Sequence, residues 1–286
     1  MHQLITEPLP FEALLFGISV AAGTLGAILG LGGGVMLVPV LTLGFGINIR
    51  YAIGASIVSV IATSSGAAAT YVRDHITNIR VAMLLEVATS CGALSGALIA
   101  AYVNTRFLFG VFAAIVFYSA FAMVRGRRQD VPHAPGKPDP LAKRLSLDSH
   151  YPDKALGRDV PYTVHGVKLG FVLMIGAGMI SGLLGVGSGV LKVPAMDRAM
   201  RLPIKVSSAT SNFMIGVTAA ASAGTYFMRG DILPALAAPV ALGVLGGSWI
   251  GTRLMMSAPS RHIRITFVFV LIAVAVEMGL RAWGMR

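Results

Sequence analysis

Two glycine clusters, each closed by a proline, carry the residues best placed for chemistry. Gly30 to Pro39 reads Gly-Leu-Gly-Gly-Gly-Val-Met-Leu-Val-Pro, and Gly185 to Pro194 reads Gly-Val-Gly-Ser-Gly-Val-Leu-Lys-Val-Pro. Each interrupts an apolar run, because clustered glycines and a proline are poor helix formers. A broken helix leaves N–H groups unpaired, and its dipole adds about half a positive charge at the N-terminus, so the break can hold a small anion where water is scarce. Glycine also lets the backbone approach a ligand with no Cβ in the way. Gly32, Gly33 and Gly34 in the first cluster, with Gly187, Ser188 and Gly189 in the second, are therefore candidate binding residues. The competing reading is that these glycines only permit tight helix crossing.

Lys192 is the one basic residue inside either cluster; Leu37 holds its place in the first. A lysine in a membrane segment costs about 2.5 to 3.5 kcal/mol on insertion scales, so it needs a partner, such as an anion, or a route by which its ammonium snorkels to the interface. Behind the clusters, Ser56, Ser211 and Asn212 offer hydroxyl and amide donors to an anion. The same groups can cap helices or bond back to the preceding turn. Glu86 is the acid well inside the spans of the first half, a candidate for carrying a coupling proton. Its position six residues after Arg80 also fits an interfacial place. Tyr71 and Tyr226, at span ends, fit an aromatic belt, and His75 fits solvent. No catalytic residue is assigned: neither a Ser/His pair within the spans nor a grouped set of His, Asp and Glu ligands is present, so no enzyme, metal or cofactor is expected.

The elements that position these residues follow from composition. A chain of 286 residues that is 55% apolar and 12% charged, with a mean hydropathy of +0.77, is too hydrophobic for a globular domain and reads as an integral membrane protein. Its apolar stretches are near-continuous and about 20 residues long, which indicates helices rather than alternating barrel strands. The formal charge of +11 lies between these spans, where it sets orientation and does not point to nucleic acid. The expected partners are a small anion and the bilayer, and the sequence leaves room for a homodimer. Cys91, the single cysteine, sits in an apolar run and forms no intrachain disulfide. No G-x-x-x-x-G-K-[ST] nucleotide loop appears. Met1 to Glu12 lacks the basic residues of a cleavable signal, so the first span is expected to stay.

Spans are expected at about Phe11 to Leu29, Ala52 to Val72, Val81 to Val103 and Phe107 to Val124, with Val35 to Gly46 too short for a full perpendicular crossing. Asn48 or a backbone turn is the expected cap of the second of these. Residues 125–168 then hold nine Lys or Arg against five Asp and several prolines, which predicts a largely irregular polar loop. The second half repeats the first 155 positions later: Thr70-Tyr71 falls on Thr225-Tyr226, Thr63 on Thr218 and Ser56 on Ser211. Further on, Gly92 to Gly96 is aligned with Gly243 to Gly247, at a changed offset. The expected organisation is a first repeat over 11–124, a cytoplasmic loop over 125–166 and a second repeat over 167–283.

Two topologies compete within this all-α membrane fold. If each short segment crosses, the halves form inverted repeats of five spans, and the short cytoplasmic loops hold eight basic residues (Arg73, Arg80, Arg198, Arg201, Lys205, Arg253, Arg261, Arg264) against five outside. If neither crosses, the halves are parallel repeats of four spans and those counts reverse. The positive-inside rule favours the inverted five-plus-five arrangement.

The helix running into Gly-Leu-Gly-Gly-Gly-x-x-x-Val-Pro, the following Ala52-Ile-Gly-Ala-Ser56, the basic central loop, and the second copy with Ala209-Thr-Ser-Asn212 resemble the TauE/SafE sulfite exporter family. The resemblance covers both halves. It implies a bacterial inner-membrane permease that moves sulfur-containing anions such as sulfite or organosulfonates, generally outward. Where the family commonly has Gly-Thr-Ser, this chain has Gly54-Ala55-Ser56, one hydroxyl fewer. The expected mechanism is alternating access around a midplane site; the alternative is an anion channel with the glycine clusters as its filter.

Overall fold

The computed structural model describes residues 8–29, 32–125, 139–153, 158–187, 189–257, 272 and 275–283. The first half comprises α1 (Pro8–Leu29), a short α2 (Gly34–Pro39) that continues as a π-helical turn (Val40–Gly44), α3 (Ile49–Arg73), α4 (Ile79–Ala100) and α5 (Thr105–Arg125). The second half repeats the order with α7 (Val167–Leu184), α8 (Gly189–Pro194) and its π turn (Ala195–Ala199), α9 (Ile204–Met228), α10 (Pro234–Ser257) and helical residues 275–282. Ile49–Arg73, Ile79–Ala100, Val167–Leu184 and Pro234–Arg253 are long and apolar enough to cross a membrane, and shorter apolar helices accompany them. The protein is a multi-pass, mostly helical membrane protein.

The two prolines are not part of the break: each is the last α-helical residue of α2 or α8, and the helix runs on past it as a π turn. Proline has no N–H to donate and crowds the carbonyl of the preceding turn, and here the register loosens to π after it: Phe45 N bonds back to Val40 O at 3.3 Å. The break lies instead on the glycine side, where Gly32 and Gly187 take φ of 72° and 74°, a left-handed conformation that glycine adopts without a Cβ clash. At the start of α3, the Asn48 side chain accepts from Arg50 N at 3.0 Å, as expected of a cap.

Small residues set the packing of the long helices. Gly243, Gly247 and Gly251 on α10 meet the backbone of Phe16, Val20 and Thr24 on α1, so the numbers rise together and the two helices run the same way. On the other side of the molecule, Gly92 and Gly96 on α4 meet Ile175 and Met179 on α7, while Gly178 and Gly182 return the contact to Thr89 and Ala93. A Cβ at any of these glycines would collide with backbone, which makes the pairs close-approach seams of the small-residue kind. The contacts also correct the alignment made from sequence. Gly92 stands to Ile175 as Gly247 stands to Val20, so the offset of 155 continues unchanged, one helical turn away from the alignment of Gly92 with Gly243.

Between these pairs, α3 and α9 run antiparallel through the centre. Gly54, near the start of α3, abuts Asp231 just beyond the end of α9. Midway, Ser64 Oγ donates to Asn212 O and accepts from Gly216 N, and past the end of α3 Asn78 N donates to Thr210 Oγ1 near the start of α9.

The stretch between the halves is not irregular where it is described. It holds α6 (Pro140–Arg144) and an antiparallel hairpin of β1 (Ser149–Asp153) and β2 (Arg158–Tyr162). Asp139 caps α6 at Leu141 N and also accepts from Val167 N at the start of α7. The module is fixed to the turn between α3 and α4. Asn78 Nδ2 donates to Leu147 O and Tyr162 Oη, and Arg80 donates to Ser146 O at 2.7 Å. Composition alone misread this segment because its order comes from these few polar anchors and a small apolar cluster including Leu147, Tyr151, Val160 and Val164.

Candidate functional site

The two glycine clusters meet at the centre of the molecule. Gly32 and Gly187 both lie against Val60 of α3 and Ile215 of α9. Gly34 lies against Ser56 Oγ and the carbonyl of Gly185, to which Ser56 donates at 2.6 Å. Gly33 faces Val244, Thr63 and Ala22. These glycines and Gly189 are buried. Around Gly34 and Gly187, the place a Cβ would take is filled by protein atoms, so the close-crossing role read from sequence is present here. Ser188 lies outside the described residues.

Tyrosines hold the helix ends that lead into the breaks. A helix that stops inside the protein leaves carbonyls without partners. Tyr226 Oη donates to Gly182 O at 2.7 Å and Leu183 O at 3.1 Å, near the end of α7. Tyr71 Oη reaches Ala27 O at 3.4 Å near the end of α1, and Ala27 and Gly182 are themselves equivalent positions. Both rings are buried, which overturns the aromatic-belt reading. That reading used the position of each tyrosine along its span, which does not reveal the inward face it occupies. Arg229 stacks on the Tyr226 ring at 4.3 Å, pairs with Asp231 at 2.7 Å and donates to Ala97 O at 2.8 Å, closing this end of α9 onto α4. His75 is exposed, as expected.

The polar groups gather on the side of the second cluster. Lys192 is fully buried, so its ammonium does not snorkel to a surface. Nζ donates to Thr218 Oγ1 at 2.5 Å. Thr218 in turn lies 2.8 Å from Glu86 Oε1, which also accepts from Ser90 Oγ at 2.9 Å. Glu86 is 7% exposed and its Oε2 is buried without a hydrogen-bond partner, which places it inside the protein and not at the interface. It sits seven residues into α4, about 10 Å along the axis. Spacing from Arg80 misjudged it because the turn before α4 is covered by the module of α6 and the hairpin.

Ser211 lies seven residues before Thr218 on α9 and therefore on the same face. It is wholly buried, and its hydroxyl has no partner, whereas the equivalent Ser56 hydroxyl is satisfied by Gly185 O. Asn212, 1% exposed, uses its side-chain amide on Ser208 O at 3.2 Å. Sequence reasoning named Glu86, Lys192 and Ser211 separately but not Thr218, which joins the first two; its signal was its equivalence to Thr63 in the Ser/Thr-rich repeat helix. The charged pair has no image across the repeat: Leu37 in the first half and Ala241 in the second occupy the equivalent places.

Comparisons with known proteins find relatives that span nearly the whole chain. The chain is 24% identical to the "Probable membrane transporter protein YunE" of Bacillus subtilis, covering 93% of this chain and 95% of that one. It is 23% identical to a probable membrane transporter protein of Methanocaldococcus jannaschii over 90% and 91% of the two chains, and 24% identical to one of Xylella fastidiosa over 92% and 94%. No solved structure matches. The family described as Sulfite exporter TauE/SafE matches residues 15–278. The chain is thus a membrane transporter rather than an enzyme, and it belongs to the TauE/SafE family.

Proposed function

We propose that this protein is a secondary transporter that exports small sulfur-containing anions, sulfite or organosulfonates, across a bacterial inner membrane. The observation that carries the reading is a set of buried polar groups on α8 and α9: a fully buried ammonium at Lys192 and an unpartnered hydroxyl at Ser211, in a chain of an exporter family. A buried cation and spare donors are what a dehydrated oxyanion requires. The site comprises Gly32, Gly33, Gly34 and Ser56 on the first side and Gly187, Ser188, Gly189, Lys192, Ser211 and Asn212 on the second, with the anion leaning toward the second.

The topology is the inverted five-plus-five arrangement. Its support is the antiparallel packing of the equivalent helices α3 and α9, since a twofold axis in the membrane plane reverses direction, whereas an axis along the normal would keep them parallel. The module of 139–165 then marks the cytoplasmic face. Transport proceeds by alternating access. Gly34, Ser56 and Gly185 are packed against one another, so an anion passes only when the halves rearrange around them, which speaks against a standing channel.

A thermal-shift screen with sulfite, sulfate, thiosulfate, sulfoacetate and taurine tests the assignment. Dose-dependent stabilisation by a sulfur oxyanion or sulfonate is expected, and a shift with none of them would refute the substrate class.

A further inference from the structure

Before any substrate arrives, the neighbourhood of Lys192 already contains a carboxylate. Nζ bonds Thr218, and Thr218 bonds Glu86 Oε1, so ammonium, hydroxyl and carboxylate stand in line across α8, α9 and α4. A threonine hydroxyl can accept from the ammonium and donate to the carboxylate at once, and bonds to charged groups are the strong ones. Two other acceptors compete for the same proton, Met214 O at 2.9 Å and Thr89 Oγ1 at 3.3 Å, so the hydroxyl can turn away from Glu86 without losing its bond.

Among the described residues of α7, α8 and α9, the other Lys and Arg side chains are Lys168 and Lys205, both exposed near helix starts. Asp197 and Arg198 lie on the π turn after α8, the first buried and the second exposed. On α4 itself, Arg80 is exposed and engaged by Ser146 O, and Cys91 is exposed. Among these groups, Lys192 is the buried cation that reaches Glu86 through Thr218, and the Oε2 of Glu86 is unpartnered.

We propose that Lys192, Thr218 and Glu86 form an exchange relay that couples anion transport to a proton. A substrate anion takes the carboxylate's place as counter-ion of the buried ammonium. Glu86 then binds a proton delivered from bulk solvent along the water that enters with the substrate, becoming the neutral acid, and one proton is carried for each anion bound. Thr218 turns its hydroxyl toward Met214 O or Thr89 as the exchange occurs. The physical ground is that a buried carboxylate without a compensating cation is costly, and neutralising it by protonation is the cheaper state. This inference rests on the anion-transport reading above.

The test uses the purified full-length protein and infrared difference spectroscopy, with sulfite, thiosulfate and sulfoacetate as probes. Addition of a probe that binds by thermal shift is expected to raise the carbonyl stretch of a protonated carboxylic acid, shifted in deuterium oxide and absent in Glu86→Gln. Lys192→Met should show the same band with no probe at neutral pH, and Lys192→Met/Glu86→Gln should lose it. In proteoliposomes, anion flux through Glu86→Gln should no longer respond to a proton gradient, and Thr218→Val should weaken that response. Binding without the band, or a band that survives Glu86→Gln, overturns the relay while leaving the transporter reading standing. Binding of no probe overturns both, and the constitutive band of Lys192→Met then reports only on the charge pairing.

Discussion

Lys192 carries a large local cost, about 2.5 to 3.5 kcal/mol for a lysine placed in a membrane segment. Its burial and its bond to Thr218 remove the snorkelling account, which the short length of α8 had kept open in the sequence. Lys192→Gln keeps a donor but removes the charge, so anion affinity should fall at least tenfold, about 1.4 kcal/mol, in a binding titration. Unchanged affinity would place the anion elsewhere. Tyr226→Phe leaves two buried carbonyls of α7 without the hydroxyl, at a cost of about 1 to 3 kcal/mol. Tyr71→Phe should cost less, since its bond is longer, and denaturation in detergent would rank the two. These roles were only partly legible. Residue type named Glu86, Lys192 and the tyrosine pair, but their contacts join positions far apart in the chain, Glu86 to Thr218 and Tyr226 to Gly182, and no local spacing encodes them.

At the scale of elements, the glycine clusters and the repeat offset were readable because both depend on local composition. Chain breaks at Gly32 and Gly187 need a left-handed backbone, and glycine supplies it. What composition could not convey is where the helix resumes: the break was read over the whole Gly-to-Pro cluster, yet the helix restarts before Pro39 and Pro194 and a π turn follows each one. The central loop was misread for a related reason, since a few anchors order it. Asp139 is one of them. Its carboxyl is held below the usual carboxylate range, first by the N–H of Leu141 and then by that of Val167. A depressed value means that the capping contribution is present above the unfolded value, near about 3.9, and is lost as pH falls through the folded value. Amide exchange at Leu141 and Val167, corrected for the intrinsic rate, should therefore speed up in that acidic window, and in Asp139→Ala it should be fast already at neutral pH. Equal protection in the variant would show that the cap does not hold α6.

For the whole molecule, the halves are joined by seams rather than laid side by side. α1 pairs with α10, α4 with α7, and α3 crosses α9, so every long contact surface links one repeat to the other. On the inverted topology proposed above, halves joined in this way rock about the centre with each seam moving as a unit, which is the behaviour the proposed alternating access needs. Cysteines introduced at residues 3 and 286 in a Cys91→Ser background should both react with a membrane-impermeant reagent added from outside. Protection of both termini would return the protein to four parallel spans per half.

The most direct measurement is uptake of radiolabelled sulfite and sulfoacetate into proteoliposomes, comparing wild type with Gly33→Leu and Gly189→Leu. Gly33 already has Val244 and Thr63 close to the place a side chain would take, so the leucine should stop the central rearrangement. Saturable flux of at least one anion in the wild type, reduced at least tenfold in both variants while membrane insertion is retained, is the predicted result. Flux of neither anion in the wild type, or flux in the leucine variants equal to it, would contradict a sulfur-anion path through the paired glycine clusters.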